Sequence, residues 1–119
     1  MEVKRGEIYT VDLIEKTTKG FEIGKKRPAI IIQADPWNEE LPTTIIIPLS
    51  SAHPRYAGPG TVTILSGEAG LKENSKVIFP QLRSIDKSRL DKRLGVVPKN
   101  KMEEVDKMIA FVLGLETIS

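Results

Sequence analysis

In "RPAIIIQADPWNEELPTTIIIPL", residues 27–49, two isoleucine-rich runs flank a polar segment punctuated by Pro36 and Pro42. Each run is too short for an independent helix and apolar without interruption. Both therefore read as central strands buried on two faces. The segment between them, residues 34–43, reads as a loop whose Trp37 caps the core edge or stacks on a partner. Arg27 opens the first run directly after Lys25 and Lys26. Proline disfavours helix in the residue before it, so Arg27 is held extended at the mouth of a buried strand.

On the N-terminal side, "GEIYTVDL" (residues 6–13) has strand-favouring composition and leads into a polar, glycine-containing loop that runs through Lys26. On the other side, "SAHPRYAGPG" (51–60) is rich in turn formers and reads as a loop, "TVTIL" (61–65) alternates as a half-buried strand, and "GEAG" (67–70) makes a turn. "SKVIFPQL" (75–82) is a further strand in which Pro80 cannot donate a ladder hydrogen bond, which favours a bulge or a sheet edge. A short helical turn at "IDKSRL" (85–90) precedes "KRLGVV" (92–97). At the end, Asn100 can cap a helix with Glu103 three residues on, while Met102, Val105, Ile109 and Val112 or Leu113 recur at helical spacing and Gly114 suits the stop. Five or six short strands and one terminal amphipathic helix describe a mainly β chain, a small barrel or twisted antiparallel sheet with the helix packed against it.

The 119 residues carry no composition shift, so residues 1–119 read as a single domain. No cysteine is present, which excludes disulfides, thiolate catalysis and cysteine-based zinc sites. The opening residues lack the apolar core of a signal peptide and no run is long enough to span a bilayer, so a cytoplasmic protein with no membrane association is expected. Net charge is only +2, but it is unevenly placed: residues 15–27 hold five Lys/Arg against two Glu, and residues 72–93 hold seven against three acids. Two such zones can meet in space as one anion-binding face.

One histidine and no cysteine leave little for a metal, and neither Glu39/Glu40 nor Glu103/Glu104 has a metal-binding spacing, so no metal or other cofactor is expected. Ser50 or Ser51 beside His53 does not resemble a nucleophile elbow. One hydrolytic reaction needs neither: the 2′-hydroxyl of RNA attacks its own phosphorus, and the protein supplies proton transfer and charge stabilisation. The planar guanidinium of Arg27 suits the second task.

Taken together, "RGEIYTVDL", "GFEIGKKRPAIIIQAD", "LPTTIIIPLSS" and "GLKENSKVIFPQLRSIDKSRL" resemble, in that order, the conserved segments of the MazF/PemK family of toxin endoribonucleases. The resemblance implies an SH3-like small β-barrel of five to seven strands with a C-terminal helix, a homodimer, and metal-independent cleavage of single-stranded RNA at a short sequence. It implies 2′,3′-cyclic phosphate and 5′-hydroxyl ends, and neutralisation by a MazE-like antitoxin whose acidic tail competes for the basic groove. Carried over by position, Arg27 matches the family's catalytic arginine, Ser50 stands where a threonine is usual, and Glu22 matches a loop acid available as the general base. Ser75, Gln81 and Arg83 match RNA-contacting positions. Phe21 replaces a small serine and can stack on a base, and Lys25 and Lys26 would steer the polyanion. The family's fold also leaves open a non-catalytic, CcdB-like inhibitor, or an RNA-binding member attenuated by Ser50 and Phe21.

Overall fold

The computed structural model describes residues 2–13, 26–51 and 61–115, so the expectations for Phe21, Glu22, Lys25, His53 and the 52–60 loop lie outside it. Within these residues β1 (Glu7–Asp12), β2 (Lys26–Ile31) and β3 (Thr43–Ser50) form the antiparallel centre of the sheet. Ile8 faces Ile30 and Ile30 faces Ile47 across the two ladders. Side chains alternate along a strand, so neighbouring residues go to opposite faces. Ile8, Ile30 and Ile47 join one core, while Tyr9, Ala29, Ile31 and Ile46 join another. This is why the isoleucine runs are unbroken: each strand feeds two cores.

Further strands complete a seven-stranded antiparallel sheet in the order β4–β5–β3–β2–β1–β7: β4 (Thr63–Ile64), β5 (Ser75–Val77), β6 (Arg83–Asp86) and β7 (Leu90–Val96). β5 and β6 share the edge of β3 opposite β2, with β5 pairing at Leu49 and Ser50 and β6 at residues 43–46. Helix α2 (Lys99–Val112) closes the second core with Val105 and Met108. Burying each of those side chains contributes about 1.5–3 kcal/mol. Among the described residues no helix is long and apolar enough to cross a membrane.

Several local expectations are corrected. Residues 34–43 are not simply a loop: α1 spans Asp35–Glu40, with Pro36 in the first turn where no intrahelical donor is lost. Its anchor is Asn38, 2% exposed, whose Nδ2 donates to the Gln33 carbonyl at 2.9 Å and whose Oδ1 accepts from Thr44 Oγ1 at 2.7 Å. Trp37 turns outward, 63% exposed, and does not cap the core. The strand expected over 75–82 ends at Val77, because Pro80 enters a 3-10 turn at Phe79–Gln81. "TVTIL" pairs over two residues only. Asn100 does not cap α2: the helix begins at Lys99, and Pro98, extended at φ −56°, precedes it. Phe111 is half-buried on the core, whereas Val112 and Leu113 are exposed. Gly114, at φ 74°, ends the helix as expected.

Candidate active site

The β2–β3 ladder runs antiparallel, so the start of β2 lies beside the end of β3. Two polar residues 23 apart in sequence meet there: Arg27 Nη1 donates to Ser50 Oγ at 3.5 Å. Arg27 is half-buried and Ser50 only 4% exposed. Strand pairing fixes the direction in which the Arg27 side chain leaves the backbone, and the contact with Ser50 places its guanidinium. Both side chains line a pocket of about 450 Å³. Pro28, Leu71 and Leu94 give the pocket apolar surface, and Thr10, Ser51 and Ser75 give it hydroxyls.

The remaining wall is residues 70–75, the end of a tightly bonded turn. Ser66 N donates to Asn74 Oδ1 at 2.7 Å, Ser66 Oγ to the Lys72 carbonyl at 2.8 Å, and Gly67 N to the Leu71 carbonyl at 2.9 Å. Ser75 Oγ donates to the Glu73 carbonyl at 3.0 Å. Backbone packs on backbone where the turn meets β7. A Cβ on Gly70 would stand 2.0 Å from the Leu94 carbonyl oxygen, and one on Gly95 would stand 2.6 Å from Ala69. Ala69 itself is held at φ 50°, a conformation that costs a residue with a side chain. The wall is fixed to β7.

Electrostatics divide the neighbouring cations. Lys26 Nζ bonds to Asp91 Oδ2 at 2.6 Å across the β1 strand that separates β2 from β7. That hydrogen bond, with the attraction of the ammonium, holds the Asp91 carboxyl below the ordinary carboxylate value and raises Lys26. Lys72 and Lys92 line the pocket instead, joined by Glu73.

Of the residues expected from sequence, Arg27, Ser50 and Ser75 come together on this pocket. Lys26 does not line it. Gln81 sits in the 3-10 turn between β5 and β6, and Arg83 pairs with Ile46, both half-buried beyond the far edge of β3 from β2. Sequence reasoning named no role for Thr10, Lys72, Glu73 or Lys92. Its one signal for the lysines was the basic zone at 72–93, and that zone does meet Arg27 in space. Chemically, a guanidinium and a hydroxyl converging on one cavity supply donors for phosphate oxygens.

Comparison with known proteins bears on this geometry. Residues 4–113 match the family described as PemK-like, MazF-like toxin of type II toxin–antitoxin system. The endoribonuclease MazF of Staphylococcus saprophyticus is 34% identical over 116 residues, which cover 98% of this chain and 95% of that protein. The crystal structure of MazF from Deinococcus radiodurans superposes with a TM-score of 0.77 at 23% identity, covering 96% of this chain and 98% of that one. A mycobacterial endoribonuclease in complex with its cognate antitoxin gives 0.74 at 20% identity, with 98% of each chain covered. At those identities the two structures speak for the fold.

Proposed function

The chain belongs to the PemK-like, MazF-like toxins of type II toxin–antitoxin systems and is an endoribonuclease, and we propose that it cuts single-stranded RNA, messenger RNA included, through the substrate's own 2′-hydroxyl. The 2′-oxygen bonds to phosphorus as its proton passes to a base. The P–O5′ bond breaks and the 5′-oxygen takes up a proton. The products are a 2′,3′-cyclic phosphate and a 5′-hydroxyl, and no metal enters the balance.

The observation that carries this reading is the approach of Arg27 to Ser50, 3.5 Å apart on one pocket. Arg27 stabilises charge building on the phosphoryl oxygens and stays protonated while doing so. Ser50 donates to a second oxygen. Its burial restricts the hydroxyl much as the missing methyl of a threonine would, so the substitution is compatible with turnover. Glu22 is the proposed base. Ser75 contacts the chain near the scissile phosphate, Gln81 and Arg83 contact bases farther along, Phe21 stacks on one, and Lys25 and Lys26 steer the polyanion. A CcdB-like protein inhibitor has no physical need for that polar set. The toxin works in the cytoplasm as a homodimer, and a MazE-like antitoxin neutralises it by laying an acidic segment along the basic groove.

Incubating purified protein with long single-stranded RNA in excess EDTA tests the proposal. Wild type cuts. Arg27→Ala cuts more slowly by about 10²–10³-fold, the usual loss for one transition-state donor, and Ser50→Ala by about tenfold, one charge-assisted hydrogen bond. RNA left intact by wild type with and without metal contradicts the activity, and cleavage that requires a divalent cation contradicts the mechanism.

A further inference from the structure

The pocket beside Arg27 and Ser50 is larger than a phosphate needs. At about 450 Å³ it lies within the roughly 300–1,000 Å³ range of small-molecule sites. Pro28, Leu71 and Leu94 give it apolar surface that does nothing for a phosphate but can bury the face of a planar ring. Glu73 also lines it, on the bonded turn that Gly70 and Gly95 press against β7. A carboxylate beside an RNA-cleaving centre repels the backbone unless it meets a donor on the substrate. Lys72 and Lys92 stand in the same lining and offset that repulsion.

We propose that this pocket receives one unstacked base adjacent to the scissile phosphate and that Glu73 selects it by accepting a hydrogen bond from its exocyclic amino group. The inference rests on the endoribonuclease reading above and supplies part of its specificity. Single-stranded RNA is read mainly through splayed-out bases set against side-chain surfaces and bonded along their edges. A carboxylate is an acceptor only, and it pairs with amino groups such as N4 of cytosine. Uracil has a carbonyl oxygen where cytosine carries that amine, and its one edge donor is the ring N3–H, so a carboxylate aimed at the exocyclic position meets an acceptor. The site therefore favours cytosine, adenine or guanine over uracil at one position. The wall is preformed: its hydrogen bonds run within residues 65–75, so no ordering is required when the base arrives.

The test uses a pool of single-stranded RNA with a randomised segment, cut in EDTA by wild type and by Glu73→Gln, with every new 5′ end sequenced. Wild type should show uracil depleted at one fixed position flanking the cut. Glu73→Gln should lower the preference at that position by roughly fivefold or more, the scale of one base-edge contact, while preferences at other positions persist. An identical cut-site profile from the two proteins overturns the inference. So does an equal fall in rate at every site, which would make Glu73 a general base instead of a reader. Absence of any preference at the flanking positions in wild type overturns it as well. Wild type that cuts no RNA removes the endoribonuclease reading together with this one, which separates the two failures.

Discussion

Arg27 reaches Ser50 at 3.5 Å, while Lys26, one residue earlier on the same strand, is held by Asp91 at 2.6 Å. Successive side chains on a strand leave in opposite directions, so two adjacent cations are given separate partners. Lys26 is therefore a restrained charge whose attraction for a polyanion is partly cancelled. Asp91→Asn should release it. RNA binding should tighten at low salt, and the log–log dependence on salt should steepen by about 0.7, one added phosphate contact on a single strand. Unchanged affinity and slope, measured by titration with a cleavage-deficient Arg27→Ala background, would show that Lys26 does not face RNA. Acid acts on the same pair. The Asp91 carboxyl titrates below its ordinary value, so the pair's contribution is complete above the unfolded carboxylate value and is lost only as pH falls through the lowered one.

The turn at residues 65–75 is the element on which the pocket depends, and Gly95 is its seat on β7. A Cβ there would stand 2.6 Å from the Ala69 carbonyl group, backbone that cannot swing away as a side chain would. Gly95→Ala should destabilise the fold by about 1–3 kcal/mol, the usual cost of overpacking, read from the urea midpoint. It should also slow RNA cleavage, because lifting the turn moves Leu71, Glu73 and Ser75 together. Wild-type stability and activity in that variant would mean the turn is not seated as described. Local pattern could find Gly67 and Gly70 as turn formers, and it did. It could not find the contact with β7, because nothing near residue 70 states which strand arrives there. The same gap hid α1. Pro36 and Pro42 punctuate like a loop, and the hydrogen bonds of Asn38 that stabilise the helical turn come from Gln33 and Thr44 on its two flanks. Pro98 likewise displaced Asn100 at the start of α2: Lys99 is already helical, and Met102 N donates to the Pro98 carbonyl at 2.9 Å, earlier than a cap at Asn100 would allow.

Across the molecule, the sheet brings four sequence-distant segments to one cavity: Thr10 from β1, Arg27 from β2, Ser50 from β3 and Lys92 from β7, roofed by residues 70–75. The unbroken isoleucine runs made the central strands legible, because they are too short for independent helices and their β-branched composition suits strands buried on both faces. The uneven charge allowed two basic zones to share one face, and among the described residues Arg27 from the first zone and Lys72 and Lys92 from the second do line one cavity. The membership of that face was not legible: Lys72 and Lys92 depend on curvature and on the β1–β7 ladder, which no local signal encodes. In the reaction proposed for this face, RNA is cleaved by its own 2′-hydroxyl. Its most direct test is the mass of the fragment ends made in excess EDTA. One fragment should carry a 2′,3′-cyclic phosphate and the other a 5′-hydroxyl, whereas a 3′-hydroxyl with a 5′-phosphate would rule out attack by the 2′-hydroxyl.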